Sequence, residues 1–575
     1  MIAFCYLILF VLIGFISGNA QEKKEWWHNA VSYEIYIRSF KDSLGTGVGN
    51  LKGIEDRLDY LKGLGVDILW ITPFYPSSNV DMGYDISDYK NVDGQFGTLD
   101  DFDSLVKNAH ARGMKVVVDM VFSHTSNEHP WFIEAKKSKE SVYHDYYLWQ
   151  PPREDGSMPN DWKSWFSGPA WEYNEATKEF YLHIFAKEQP ALNWNNSLVR
   201  EEIFSVAKFW LDRKVDGIRF DVISLIALPE IDQSCKLWGN MPLARAYLKM
   251  LDDQILSQYN IFTVGETPGV ALENVHEYVE EGTGSLKTIF QLEIMSLGNE
   301  GDKFHPAAHK LTDFKEIYRK WYETLYGKGW ISVVLGNHDE ARAISRWGDD
   351  TNYWKESGKM LATFLLTQWG IPYIFQGDEI GMTNCPFDPS EFNDVEEINY
   401  YAEKVAEGKC EEEFLPGLLA RCRDNSRTPM QWDDAKNASF STAESTWLKV
   451  NPNYETINVE AERKDPDSIL NYYKKMIALR KSIPAFIYGT VNFVDFENEQ
   501  VFAYTREYEG SKFLVVCNFS AESLRFDTFE EGLKNCEVLI CNYAAGPQVE
   551  GSKIDLHPFE SIVLKMIGAD NWMYE

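Results

Sequence analysis

Eight short apolar runs, separated by longer stretches with helical spacing, constrain this chain more than any other feature. They are Val31 to Ser39, Asp67 to Phe74, Lys115 to Ser123, Gly217 to Val222, Ile261 to Thr267, Thr288 to Glu293, Ile331 to Asn337 and Pro372 to Gln376. Between them lie amphipathic segments such as Leu51 to Leu64, with Ile54, Leu58 and Leu61 on one face, and Thr98 to Arg112, opened by Thr98 with Asp101 as a cap pair. Strand and helix alternating in this way is the pattern of βα units around a parallel sheet, and eight units predict an α/β chain of the (β/α)8 barrel class. The interval between the third and fourth runs is far longer than the others. Its excess, 125–199, is rich in Trp, Tyr, Asn and Pro and reads as a small domain inserted after strand 3, over the barrel mouth. The barrel is then 21–124 and 200–487, with a second long excursion at 381–466. From Tyr488 the helical period disappears. Val491 to Phe496, Val501 to Arg506, Lys512 to Cys517, Glu537 to Cys541 and Ser561 to Lys565 predict an antiparallel β domain over 488–575.

The 575 residues carry 56 Lys plus Arg against 88 Asp plus Glu, a net charge of −32. A field of that sign repels nucleic acid and anionic membranes, so the expected partner is small or neutral. Met1 to Gly18 is apolar apart from Ser17 and Tyr6, with small residues Gly18 and Ala20 before Gln21, which predicts a cleaved signal peptide over 1–20, a secreted protein and no span in the mature chain; an uncleaved anchor is the alternative. Secretion gives meaning to the Asn-x-Ser sequons at Asn195, Asn437 and Asn518. It also leaves an odd number of cysteines, with Cys536–Cys541 and Cys385 with Cys410 or Cys422 as candidate disulfides. Oligomeric state is not legible.

In a (β/α)8 barrel the working residues project from the C-terminal ends of the strands. This chain places carboxylates at four such ends: Asp119 in VVVDMVFSH, ahead of His124; Asp221, with Arg219, in GIRFD; Glu266 in TVGET; and Asp339, with His338, in VVLGNHD. A single strand-end Asp is usually a turn or cap residue. Several converging with Arg and two His, without a metal-spaced His/Cys set or a phosphate loop, point to glycoside hydrolysis, in which one carboxylate attacks the anomeric carbon and a second, protonated, assists the leaving oxygen.

These segments, in this order, resemble the motifs of the α-amylase superfamily, glycoside hydrolase family 13, across nearly the whole mature chain. KEQPALNW (Lys187 to Trp194), DMGYDISDY (Asp81 to Tyr89) and RDNSRTPMQW (Arg423 to Trp432) resemble its α-glucosidase and oligo-1,6-glucosidase branch. The resemblance implies Asp221 as nucleophile, Glu266 as general acid/base and Asp339 as the carboxylate that binds sugar hydroxyls. It implies Arg219 as the cation that orients Asp221, His124 and His338 as hydroxyl ligands, Tyr84 as the aromatic under the ring, and Asp81 with Arg427 as the pair closing the pocket. A closed pocket implies exo action by retention on sucrose, maltose or isomaltose-type sugars. A transglycosylase or sucrose isomerase keeps the same residues, and a catalytically silent transporter heavy chain or sugar-binding receptor is the alternative from another class. Departures flank the pocket: Ser123 where the family has Asn, Ala191 in QPALN, and Glu340-Ala341-Arg342 after Asp339.

No cofactor is expected. The family often holds calcium in a loop after the first strand, but the matching stretch, Asp42 to Asn50, reads DSLGTGVGN and offers one carboxylate where calcium wants several charged oxygens. Calcium is therefore disfavoured and no metal ligand is assigned.

Overall fold

A computed structural model describes residues 24–228, 239, 241–530, 533 and 536–566. The predicted signal segment and Cys235 lie outside the described residues. Eight parallel strands close a barrel in which each strand pairs with its neighbours in the chain and the last pairs with the first. They are β1 (Ser32–Ile35), β2 (Ile68–Ile71), β3 (Lys115–Val121), β4 (Gly217–Asp221), β5 (Phe262–Gly265), β6 (Thr288–Phe290), β7 (Trp330–Val333) and β8 (Ile371–Phe375). All eight fall within or against the apolar runs, because a strand covered by helices has to be apolar on both faces.

The outer helices follow their local signals. Thr98 and Asp101 form a capping box at the start of Leu99–Ala111. The Leu51 to Leu64 segment is two helices, Leu51–Asp56 and Leu58–Leu64, broken at Arg57, whose guanidinium sits 4.2 Å over the Trp432 ring. Ile54, Leu58 and Leu61 still bury one common face. Gly65, at φ 104°, ends the second helix in the left-handed conformation that glycine adopts without a Cβ penalty.

Between β3 and β4, strands Trp149–Gln150, Glu179–Leu182 and Trp171–Asn174 form a small antiparallel sheet around Trp162, Trp171 and Phe180. Beyond residue 489, Thr490–Val494, Val501–Tyr508, Ser511–Asn518, Ser561–Met566 and Glu537–Cys541 pair in that order as an antiparallel sheet. A second sheet of Leu524–Asp527, Lys553–Leu556 and Gln548–Glu550 packs with it. Among the described residues no helix is long and apolar enough to cross a membrane.

Two expectations are corrected. Cys385 and Cys422 share one small apolar core as thiols, and Cys410 is exposed. Cys541 faces Glu560 Oε1 at 3.3 Å while Cys536 faces Met566 Sδ at 3.2 Å, so the small disulfide loop is not formed. Asn518 is no acceptor for a glycan in this fold: it is fully buried and its amide donates to the Glu522 and His557 carbonyls. Asn437 is half-buried with its amide on the Ala443 carbonyl, whereas Asn195 is exposed.

Candidate active site

Carboxylates from β3, β4 and the end of β5 converge on one guanidinium. Arg219, in the middle of β4, is 2 % exposed and reaches three carboxylates. Its Nη1 donates to Asp119 Oδ1 at 2.8 Å and to Asp221 Oδ1 at 2.7 Å, and its Nη2 donates to Glu266 Oε2 at 2.5 Å. Asp119 is anchored beneath it by Tyr84 Oη at 3.0 Å and Trp70 Nε1 at 3.2 Å. A planar fork of fixed donors fits this task, because one side chain fixes the orientation of several carboxylates at once.

The backbone after Asp221 adds to the fit. Val222 has φ 34° and ψ 41°, a left-handed conformation that costs a β-branched residue on the order of 1 to 3 kcal/mol. In that conformation its N–H points to Glu266 Oε2 at 3.3 Å, and the next N–H donates to the Glu266 carbonyl at 2.9 Å. The strain thus holds the ends of β4 and β5 in register.

Desolvation sets the electrostatics. Burial raises Glu266 to about 8 against the pull of Arg219, and raises Asp221 to about 7 against the same cation. Burial alone would also raise Asp339, yet His338, Arg423 and Arg427 hold it well below the usual carboxylate range. One barrel end therefore offers a carboxyl that keeps its proton at neutral pH beside others that give theirs up more readily.

A cavity of about 1740 Å³ opens over these groups. Its inner wall carries Asp81, Tyr84, His124, Asp221, Glu266, His338 and Asp339, and its outer wall includes Trp165, Phe166 and Phe185 from the inserted segment and Phe304 and Tyr400 opposite. Tyr84 stacks on His338, rings 4° from parallel and 5.2 Å apart. His124 is neutral, lowered to about 4 by burial; it lies 2.9 Å from the Ser123 hydroxyl and 3.1 Å from the Tyr84 carbonyl, so the hydroxyl at 123 supports the ring.

The closed end differs from the expected pairing. Asp81 is not joined to Arg427: its Oδ1 faces Arg423 Nη2 at 3.4 Å and its Oδ2 accepts from Gln189 Nε2 at 2.9 Å. Arg423 continues to Asp339 at 2.8 Å. Arg427 lies one step behind, tied to Asp339 at 2.9 Å, to Asp394 at 2.5 Å and to the His338 carbonyl at 2.9 Å. Both arginines belong to the RDNSRTPMQW segment, and Arg423 is simply the one whose side chain reaches the wall. Gln189 lies in KEQPALNW and was findable there. Asp394 carries no signal in its local sequence. Glu340, one of the departures from pattern, lines the cavity and is paired with Arg346 at 2.5 Å.

Residues 34–489 match the alpha amylase catalytic domain family, and 501–563 match the C-terminal domain of the alpha-amylase SusG. The chain belongs to the α-amylase family. It is 46 % identical over 560 residues to an oligo-1,6-glucosidase of Parageobacillus thermoglucosidasius, covering 95 % of this chain and 99 % of that one. It is 45 % identical to the oligo-1,6-glucosidase of Bacillus cereus, covering 95 % of this chain and all of the other. The isomaltulose synthase SmuA of Protaminobacter rubrum superposes with a TM-score of 0.91 at 38 % identity, over 95 % of this chain and 100 % of that structure. This member of the α-amylase family is accordingly a glycoside hydrolase.

The family's calcium loop does not fit a cation here. Asp42 Oδ1 accepts from the Leu44 and Gly45 amides, both at 2.8 Å, and from Asn50 Nδ2 at 3.1 Å. Asp42 Oδ2 accepts from the Gly47 amide at 2.7 Å and the Ser441 hydroxyl at 2.6 Å. The loop turns N–H donors toward its one carboxylate, where a cation requires oxygens. Among the described residues, Asp394, Glu396 and Glu397 also come close enough to share an ion, but Arg423, Arg427 and Lys303 already neutralise that cluster.

Proposed function

We propose that this chain is a retaining exo-α-glucosidase that releases terminal glucose from short α-glucosides such as isomaltose, maltose and sucrose. The observation that carries the reading is the single Arg219 guanidinium holding Asp221 and Glu266 at the bottom of a pocket closed by Asp81, Arg423 and Asp339. Asp221 attacks the anomeric carbon as Glu266 gives its proton to the departing glycosidic oxygen. Glu266, now a carboxylate, takes a proton from water, whose oxygen displaces Asp221 and restores both groups. Asp339 accepts hydrogen bonds from glucose hydroxyls, and the closed end admits one terminal ring. The oligo-1,6-glucosidase names of the relatives support α-1,6 linkages among the substrates, as does Val222 after the nucleophile.

Purified protein incubated separately with sucrose, maltose, isomaltose and trehalose tests this, with products followed by proton NMR. Free glucose appearing first as the α-anomer is expected. Immediate β-glucose would overturn the nucleophile assignment, and a rearranged disaccharide would favour the isomerase reading that the isomaltulose synthase likeness supports. Viscosity of soluble starch should hold while disaccharides are consumed.

Secretion belongs to this proposal, with a mature N-terminus at Gln21 and a glycan at Asn195; N-terminal sequencing of protein from a secretory host decides it. So does the absence of bound calcium. Chelation should leave the melting temperature unchanged, while Asp42→Ala, which strands four N–H donors and a hydroxyl, should lower it, by about 1 to 3 kcal/mol of stability for each donor left buried without a partner. A melting point that falls with EDTA and returns with calcium would reverse the assignment.

A further inference from the structure

Glu34 stands on β1 beneath the pocket, and no role described above uses it. It is 1 % exposed, and its Oε1 lies 2.5 Å from His338 Nδ1. Its Oε2 has no hydrogen-bond partner, which is tolerable for a neutral acid and costly for a carboxylate. His338 faces the cavity with its other nitrogen. Nε2 lies 3.2 Å from Asp339 Oδ2 yet makes no hydrogen bond within the chain, and both residues line the cavity. The ring is clamped by Tyr84 on one side and by Tyr36, 15° from parallel at 5.9 Å, with the edge of Trp70 against it. It has no room to exchange its two nitrogens.

A contact of 2.5 Å between Oε1 and Nδ1 requires one proton between them. The charged and titratable groups that face the pair are Tyr36 after β1, Tyr84 after β2, Asp119 and Arg219 from β3 and β4, Asp339 after β7, Tyr373 on β8, and Arg423 and Arg427. Burial pushes both groups toward their neutral forms, Glu34 above the usual carboxylate range and His338 down to about 3, and the unpartnered Oε2 favours the same neutral pair. Glu34 then donates to Nδ1, and the imidazole hydrogen sits on Nε2, toward the sugar. When the pair loses one proton, Glu34 becomes a carboxylate that accepts from Nδ1–H, and Nε2 is left as a bare lone pair facing the Asp339 carboxylate.

We propose that Glu34 is a positioning residue for His338: its carboxylic proton keeps the His338 hydrogen on Nε2 as a donor to a glucose hydroxyl, and loss of that proton withdraws the donor and weakens glucose binding at alkaline pH. The inference rests on the reading of this pocket as a glucose site. It separates from that reading experimentally, because failure of the wild type to cleave any α-glucoside would reject the site, whereas the comparison below concerns Glu34 alone.

The test uses Glu266→Gln, which removes the titrating acid and allows binding without turnover. Glucose affinity is measured by calorimetry from about pH 6 to about pH 10 in this variant and in the double variant Glu34→Gln/Glu266→Gln. The side-chain amide that the Glu34→Gln substitution introduces would donate to Nδ1 at every pH. In Glu266→Gln the affinity should fall about 3- to 10-fold with the loss of one proton, the worth of one hydrogen bond. In the double variant that fall should vanish, leaving only what Asp221 and Asp81 contribute to both. An equal fall in both variants, or none in either, overturns the proposal. If Glu34→Gln does not fold, nitrogen-15 NMR of histidine-labelled Glu266→Gln answers alone: His338 Nε2 should carry a proton below the transition and lose it above, and a proton retained throughout overturns the assignment.

Discussion

The closed end of the pocket and its mouth are built in opposite ways. At the closed end Asp81, Arg423, Asp339, Arg427 and Asp394 form one chain of ion pairs, and four of the five side chains are 7 % exposed or less. At the mouth Trp165 is 43 % exposed, and Glu403 and Lys404 stand on an outer helix, Val395–Ala406. Charges buried in one chain cannot move independently, so the closed end recognises a single ring of fixed shape. The mouth has apolar surface and open space, which tolerates leaving groups of many shapes. The linkage and the size of the departing group are therefore settled at the mouth, and the identity of the transferred sugar at the closed end.

The largest effect should come from the groups on Arg219. Asp221→Asn keeps the shape and removes the negative charge, and turnover of every α-glucoside should fall at least about 10³-fold while the melting temperature holds within a few degrees. A loss below about tenfold would mean that Asp221 is a structural partner of Arg219 and nothing more. Next comes the closed end itself. Asp81→Ala removes a carboxylate from the pocket wall and leaves Arg423 with one partner fewer, and kcat/KM should fall about 10²-fold for all glucosides alike, a loss of about 2.7 kcal/mol of transition-state binding. A loss confined to one leaving group would break the division between end and mouth.

The pH profile sharpens the same division, because its limbs belong to the groups on Arg219 and not to the mouth. Asp221 must be ionised, so activity rises as pH passes its raised value of about 7. Glu266 must be protonated, so activity falls as pH passes about 8. The bell in kcat/KM should sit in that narrow neutral-to-alkaline window and be the same for isomaltose and for maltose. A limb that shifts with the leaving sugar would place a titrating group at the mouth.

The same boundary separates what the sequence discloses from what it does not. The barrel strands were legible because a strand covered on both faces must be an apolar run, and the residues at their ends because position in a barrel fixes their role. Glu34 carries a signal of its own: a carboxylate in the middle of an apolar run, SYEIY, is buried and needs a partner. The exchange of Arg427 for Arg423 beside Asp81 was not legible, since both stand in one motif four residues apart and only packing decides which side chain reaches the wall. At the mouth there was less to read. The hairpin Asn299–Glu300 with Asp302–Pro306 and, in the terminal domain, the sheet of Leu524–Asp527, Gln548–Glu550 and Lys553–Leu556 are strands of two to five residues, too short for alternation to stand out.

The smallest effect falls at the mouth. Trp165 is held by its backbone, whose N–H donates to the Ile184 carbonyl at 2.8 Å, and its ring rests edge-on against Phe185 at 5.5 Å with the rest turned outward. Truncation to Ala leaves that backbone bond in place, so the fold should not suffer. A sugar ring or aryl group beyond the first glucose has an apolar face that stacks on such a surface, and an aromatic contact of this kind contributes about 0.5 to 1.5 kcal/mol. Trp165→Ala should therefore raise KM for isomaltotriose about 2- to 10-fold. Inhibition by free glucose, which fills only the closed end, should be unchanged, as should kcat, because no step at Asp221 or Glu266 uses the ring. If glucose inhibition weakened in step with KM, the mouth and the closed end would be one site, and the division drawn between them would fail at its most exposed residue.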